Sequence, residues 1–298
     1  MVSLQAKGHE YWLNSFLSEN ILKLTKKLQI TEAQQAIEAL VAAAPQLSKG
    51  RLKDAMNKGA VLWRRGKQNK RMRRAQADLL PGDSLELNYD EQLLQRSCDP
   101  AVLIHEARGY SVWFKPAGML SQGNEWGDHL ALLRFAELHW QGKRQVFLLH
   151  RLDREASGLV LIAHTKQAAA AFSLMIQQHK IEKEYRIEVK GQLSDELLAA
   201  GQLTAVLDDK ACTTEFELES YSEERRSSII RVKLITGRKH QIRRHFALAG
   251  HPVMGDPAYG SGNKNEQGLM LQAVKLKFIC PFRKTTMEFE LPAHLVQL

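Results

Sequence analysis

A chain of 298 residues is long enough for two domains with a substantial core in at least one. Its 44% hydrophobic and 25% charged residues are ordinary for a globular protein, and no apolar run reaches the length of a membrane-spanning helix. Three widely spaced cysteines, Cys98, Cys212 and Cys280, form no CxxC pair and argue against a disulfide scaffold or zinc finger, while the net charge of +9 points to an anionic partner.

The opening MVSLQAKGHEYWLNSF is interrupted by His9, Glu10 and Asn14 and lacks the basic-then-apolar layout of a secretory signal, so a cytoplasmic location is expected. Residues 1–46 read as a helical extension. Thr31 and Gln34 suggest a capping box, and Ala33, Ala36, Ile37, Leu40, Val41 and Ala44 form a helical stripe that ends at Pro45. The next stretch concentrates the charge: residues 47–89 hold eleven Lys/Arg against four Asp/Glu. A helix over 48–57 is expected to stop at Lys58-Gly59, followed by a strand at Ala60–Trp63. The turn RRGKQNKRMRR (64–74) then offers Arg64, Arg65, Lys67, Lys70, Arg71, Arg73 and Arg74 to a polyanionic partner, and Pro81-Gly82-Asp83 leads into the alternating strand SLELNY. This order resembles a degenerate S-four-type RNA-binding domain over 47–95, a small α/β module. A connection over roughly 90–100 separates it from the rest.

From about residue 101 short strands and helices alternate. Two strands are expected in VLIHEARGYSVWFKPAGML, followed by a turn at Lys115-Pro116-Ala117-Gly118, and others in SGLVLIA (157–163), EKEYRIEVKG (182–191), RSSIIRVKLITG (226–237) and the C-terminal LMLQAVKLKFICP and TMEFELP. A helix starts at Thr165 and another covers 238–249. The interleaving lacks a regular βαβ rhythm, so residues 101–298 are expected to form an α+β domain with a mixed sheet.

Three motifs could carry chemistry. In HRLDREASGLVLIA (150–163), Asp153 stands just before a strand between Arg151 and Arg154. Such a carboxylate is ionised at neutral pH, suited to nucleophilic or electrostatic work and poorly suited to general acid catalysis; a turn Asp paired with a neighbouring Arg is the plainer alternative. In GRKHQIRRHFALAGHPVMGDPAYG (237–260), Arg238, Lys239, Arg243 and Arg244 crowd a helix start. There they oppose the macrodipole unless they face RNA phosphate or a buried carboxylate. Tyr185, in EKEYRIEV, is either a core residue or a plate for an extruded base. His240 and His245 lie five apart among cations, with no HExxH and no Cys/His cluster, so no metal site is expected.

HRLDREASG, the KEY strand and GRKHQIRRHFALAGHPVMGDPAYG, in this order, resemble the RluA-type family of RNA pseudouridine synthases, in which an N-terminal RNA-binding domain of the type above is frequent. The resemblance covers roughly residues 101–298. It implies a mixed, largely antiparallel central sheet flanked by helices, with the site in its central cleft, and isomerisation of uridine in rRNA or tRNA without a cofactor or required protein partner. It implies that Asp153 is the nucleophile, that Tyr185 stacks on the target uracil, and that Arg243 holds the aspartate. Arg151 would fill the gap left by the flipped nucleotide. Attack on the sugar and removal of a sugar proton both stay open. Three positions depart from the family pattern: Ala156 for a common Thr, Phe114 before Lys115-Pro116, and Gln272 where His is frequent. Two other readings compete, an inactive RNA-binding or ribosome-assembly factor that keeps the fold, and a nucleic-acid hydrolase using Asp153 and His150.

Overall fold

The computed structural model describes residues 22–298, so the first twenty-one positions of the expected helical extension lie outside the described residues. The chain divides into two compact units. One runs through Arg96 and includes Glu125–Gly127; the other comprises Ser97–Asn124 and Asp128–Leu298.

In the first unit the described part of the expected extension opens with a strand, β1 (Lys23–Gln29), which pairs antiparallel along its whole length with β6 (Ser84–Asp90). A short bridge strand β2 (Gln34–Gln35) leads into helix α1 (Ala36–Ala43). The proposed Thr31 capping box does not form, because the helix starts later and its first N–H groups are taken from outside. The Ala36 and Ile37 amides donate to the carbonyls of Ala77 and Ala75, which satisfies donors that a side-chain cap would otherwise serve. Ala36, Ile37, Leu40 and Ala44 are buried as the stripe required, whereas Ala33 and Val41 are exposed. Helix α2 (Lys49–Asn57) has Ser48 as its cap, with the hydroxyl accepting from the Arg51 amide. It ends before Gly59, whose φ of +80° suits a residue without Cβ.

The basic stretch is a hairpin rather than an open turn. Strand β3 (Val61–Arg65) folds back through Gly66 onto β4 (Gln68–Arg71), and β5 (Asp78–Leu79) follows before β6. The sheet order is β1-β6-β3-β4. Its inner face packs Val61, Leu85 and Leu87 onto Ile37, Leu40, Leu52 and Met56. A single-turn helix α3 (Glu91–Gln95), capped by the Asp90 carboxylate, occupies part of the expected connection.

The second unit is built on a ten-stranded sheet. Its elements in chain order begin with β7 (Val102–Glu106), β8 (Tyr110–Lys115), α4 (Leu132–His139), β9 (Phe147–Leu148), β10 (Ser157–Ala163) and α5 (Lys166–Gln177). They continue with β11 (Ile181–Lys190), α6 (Asp195–Ala200), β12 (Gln202–Leu207), β13 (Lys210–Ser222), β14 (Ser227–Leu234), α7 (Gln241–Leu248), β15 (Leu271–Ile279) and β16 (Thr286–Glu290). The main path is β12-β13-β14-β11-β15-β10-β8-β7, with β16 on β15 and β9 on β10. Every pairing is antiparallel except the short parallel contact of β10 with β15, so the sheet is mixed and largely antiparallel, within an α+β fold.

SGLVLIA is buried throughout because both faces of β10 are covered. Val160 and Ile162 join a core with Trp113, Ile187, Val232 and Phe246, while Leu159 and Leu161 join another with Val112, Phe172 and Phe278. Gly158 sits where β10 meets β15, with φ +119°, and a Cβ there would lie 2.3 Å from the Ala273 carbonyl oxygen. Only glycine permits that approach. Among the described residues no helix is long and apolar enough to cross a membrane.

Candidate active site

Asp153 lies on an irregular segment between β9 and β10, and that segment is pinned from below. The Ser121 hydroxyl accepts the Leu152 amide at 3.0 Å and donates to the Leu152 carbonyl at 2.7 Å. The Gly118 amide donates to the Arg154 carbonyl at 2.7 Å. Lys115, fully buried at the end of β8, donates from Nζ to the carbonyls of Ala156 (2.6 Å), Met119 (2.8 Å) and Pro116 (3.0 Å). Burial pushes its pKa down to about 7, with the Asp153 charge opposing the shift. The Lys115-Pro116 pair, read from sequence as a turn, thus ties β8 to the segment that carries the carboxylate.

Arg243 reaches Asp153 from α7. Its Nη1 donates to Asp153 Oδ2 at 2.9 Å, while Nε and Nη2 donate to the two oxygens of Asp256 at 2.7 and 2.8 Å. Arg243 is 2% exposed and the Asp256 side chain is fully buried, whereas the Asp153 side chain keeps 26% exposure. The Asp256 carboxylate also accepts the Ala258 and Tyr259 amides. Together with Arg243 these bonds outweigh the desolvation of Asp256 and lower its pKa. The guanidinium is therefore locked by two points to a buried partner, and a third N–H, on Nη1, reaches the partly buried Asp153.

Tyr185, on β11, is buried against Val232 and Ala273. Burial, with the Asp153 charge adding to it, raises its phenol far above the ordinary value, so the ring is neutral. Asp153, Tyr185 and Arg243 line one cleft. Arg151 and Arg238 supply cationic lining, and Ile242, Leu234 and Leu271 supply apolar lining. A larger hollow, lined by Glu184, Glu215, Glu217, Arg231 and Lys233 among others, contains none of the predicted site residues.

The remaining cations separate into groups. The helix expected over 238–249 starts only at Gln241. The Gln241 side-chain carbonyl accepts the Arg238 amide and the Thr236 hydroxyl, holding the preceding segment as a loop. Arg238 and Lys239 lie in that loop rather than on the helix, and Lys239 is exposed. Arg244 pairs with Asp208 at 3.1 Å. Arg154 binds Glu155 rather than the neighbouring Asp153. His150 is no base for hydrolysis: its Nε2 accepts the Leu161 amide at 3.1 Å, and burial pushes its pKa down to about 3.

In the first unit, Arg65 is committed to the fold. It forks onto Asp83 at 2.6 and 2.7 Å, and its guanidinium lies over Trp63. Arg71 donates to the Gly59 carbonyl and Arg73 to the Asn57 carbonyl. Arg64 stands 3.6 Å from Glu86, while Lys67, Lys70 and Arg74 are exposed.

Sequence reasoning passed over Asp256 and Tyr259 and weighed His240 only as a metal ligand. Asp256 carried a usable signal, as it is the only carboxylate in the basic stretch 237–260. His240 takes a left-handed conformation (φ +53°) just ahead of α7 and accompanies Tyr259 beside Asp153; nothing in its residue type marked that. Of the three departures, Phe114 packs in the second core of the sheet. The Ala156 carbonyl accepts from Lys115. Gln272 bridges Ser157, the Leu295 carbonyl and the Gln297 amide.

The family model for RNA pseudouridylate synthase matches residues 109–248. Among curated proteins, the chain is 33% identical over 197 residues to a tRNA pseudouridine synthase C of Vibrio parahaemolyticus, covering 56% of this chain and 80% of the relative. It is 29% identical over 219 residues to a ribosomal large subunit pseudouridine synthase D of Zymomonas mobilis, covering 64% and 68%. The solved structure of human RNA Pseudouridylate Synthase Domain Containing 1 has the same fold, with a TM-score of 0.54 at 20% identity over 67% of this chain and 86% of that one. The chain belongs to the RNA pseudouridine synthase family, in its RluA-type branch, and is an isomerase that converts uridine to pseudouridine in RNA.

Proposed function

We propose that this enzyme modifies specific uridines in structured rRNA or tRNA through the Asp153 carboxylate and needs no cofactor. The observation that carries the reading is the 2.9 Å contact between Arg243 and Asp153 in a cleft that also holds the ring of Tyr185. The target nucleotide swings out of its stack into the cleft, with Arg151 filling the vacated space. Asp153, oriented by the Nη1 of Arg243, drives cleavage of the N1–C1′ bond. The freed uracil turns against Tyr185 and rejoins C1′ through C5. The C5 proton leaves and N1 ends protonated, so atoms balance and no electrons are exchanged. Enclosure keeps the detached base within reach of its sugar. Tyr185, buried on β11 at the wall of the cleft, serves as the stacking plate for the uracil. Arg238, Lys239 and Arg244 lie along the RNA path past the cleft, and the first unit acts as an S-four-like RNA-binding module through its exposed hairpin cations.

Asp153→Asn keeps the shape and removes the charge. Arg243 stays paired with Asp256, so RNA binding and the melting temperature are expected to hold while pseudouridine formation is lost. Pseudouridine mapping of total RNA from cells lacking the gene, complemented with wild type or Asp153→Asn, reads both the substrate and the loss. Modification restored by Asp153→Asn would overturn the reading in favour of another catalytic group.

A further inference from the structure

The geometry points to His240 as a positioning residue that steers the reactive oxygen of Asp153; the inference rests on the catalytic reading of Asp153 given above. The two carboxylate oxygens stand in different surroundings. Oδ2 is taken by Arg243 at 2.9 Å, whereas Oδ1 faces His240 Nε2 at 3.5 Å. On the other side of the imidazole, Nδ1 lies 3.0 Å from the Tyr259 hydroxyl. A neutral imidazole has one N–H and one lone pair. If Nδ1 carried the proton, the Nε2 lone pair would face a carboxylate oxygen and repel it. The arrangement that satisfies both neighbours has the Tyr259 hydroxyl donating to Nδ1 and the Nε2 proton directed at Oδ1.

Two further features support a built arrangement. His240 holds φ +53° immediately before α7, a conformation that a non-glycine residue rarely takes without support from its surroundings. Tyr259 is itself fixed by Asp256, which accepts the Tyr259 amide at 3.1 Å, and its ring lies beneath the Arg243 guanidinium at 5.1 Å. The contacts close a ring: Asp153 to Arg243, Arg243 to Asp256, Asp256 to Tyr259, Tyr259 to His240, and His240 back to Asp153. Arg243 fixes one oxygen by charge, and the imidazole limits the swing of the other, which is the oxygen left to meet the sugar.

The test uses the full chain and bulk RNA carrying tritium at C5 of uridine, since C-glycoside formation releases that label. His240→Ala is expected to slow single-turnover tritium release roughly ten- to hundred-fold, as misplacement of a reacting group does, with RNA retention on filters and melting temperature unchanged. His240→Gln places an amide N–H near the position of Nε2 and is expected to recover most of the rate. Tyr259→Phe, which frees the imidazole to rotate and change tautomer, is expected to fall between them. A wild-type rate in His240→Ala, or a Gln variant as slow as the Ala variant, would overturn the inference. Asp153→Asn in the same assay separates the two readings. Label release by that variant would remove the premise, while an inert Asp153→Asn beside a fully active His240→Ala would remove only the role of His240.

Discussion

Two arginines in this protein make the same fork. Arg65 grips Asp83 through Nε and Nη2 at 2.6 and 2.7 Å, and Arg243 grips Asp256 through the same atoms at 2.7 and 2.8 Å. In each case the aspartate is buried in a turn and also accepts backbone amides: Leu80 on Asp83, Ala258 and Tyr259 on Asp256. The difference lies in what remains of each guanidinium. Arg65 is 42% exposed at the side chain and ends its commitments at Asp83 and the face of Trp63. Arg243 is 2% exposed and spends its Nη1 on Asp153. One fork closes a turn. The other uses a closed turn as an anchor from which a second carboxylate is held at the mouth of a cleft. An arginine alone does not distinguish these uses; the position of a second acid does.

The sharpest way to break the comparison is to remove the anchoring aspartates. Asp256→Asn keeps the shape and deletes the charge that balances a buried guanidinium. Removing one partner of a buried pair costs about 3–5 kcal/mol. The variant should melt markedly lower and lose activity with it, whereas Asp153→Asn should lose activity alone. Calorimetry on the two variants side by side checks this. Equal melting temperatures would mean that Arg243 is balanced by Asp153 rather than by Asp256.

Arg65→Ala should have a smaller effect, confined to the first unit. Arg65 lowers the pKa of Asp83 through the paired hydrogen bonds, against the opposing effect of burial. A carboxylate whose pKa is depressed on folding contributes stability above its ordinary value near 3.8, and this is lost as pH falls through that value toward the folded one. In acid melts the wild type should therefore lose stability below about pH 4. Arg65→Ala should start several degrees lower at neutral pH and lose less on acidification. Parallel melting curves from pH 7 to pH 3 would show that the pair contributes nothing.

The same contrast explains what was legible in the sequence. Asp153, Tyr185 and Arg243 were singled out because their motifs agree in order, and the folded chain brings all three into one cleft. The strand SGLVLIA and the helix after Thr165 followed from burial pattern and a capping hydroxyl. The helix expected through residues 31–44 instead begins at Ala36, after strand β1, because distant carbonyls at Ala75 and Ala77 serve its first amides. Arg154 was set beside Asp153 by adjacency along the chain, yet it turns to Glu155. The ring through Asp256, Tyr259 and His240 depends on a left-handed residue and on a contact between residues nineteen apart in sequence. Neither leaves a periodic trace. Local patterns report local structure, and the site is assembled from side chains that meet only after folding.

The hairpin cations give the smallest and most diagnostic effect. Charge density alone invites replacement of Arg71, Arg73 and Arg74, but that triple mixes two roles. Arg71 and Arg73 donate to the carbonyls of Gly59 and Asn57, so their loss loosens the end of α2 as well as removing charge. Lys67, Lys70 and Arg74 are exposed and offer a cleaner set. Changing these three to Ala should leave the melting temperature alone and weaken RNA binding. Each phosphate contact removed should flatten the dependence of log K on log salt by roughly 0.7–0.9. Titrations with bulk RNA between low and moderate salt measure the slope. A slope that does not change would place the RNA away from this hairpin, and the excess charge of residues 47–89 would then serve purposes other than phosphate contact.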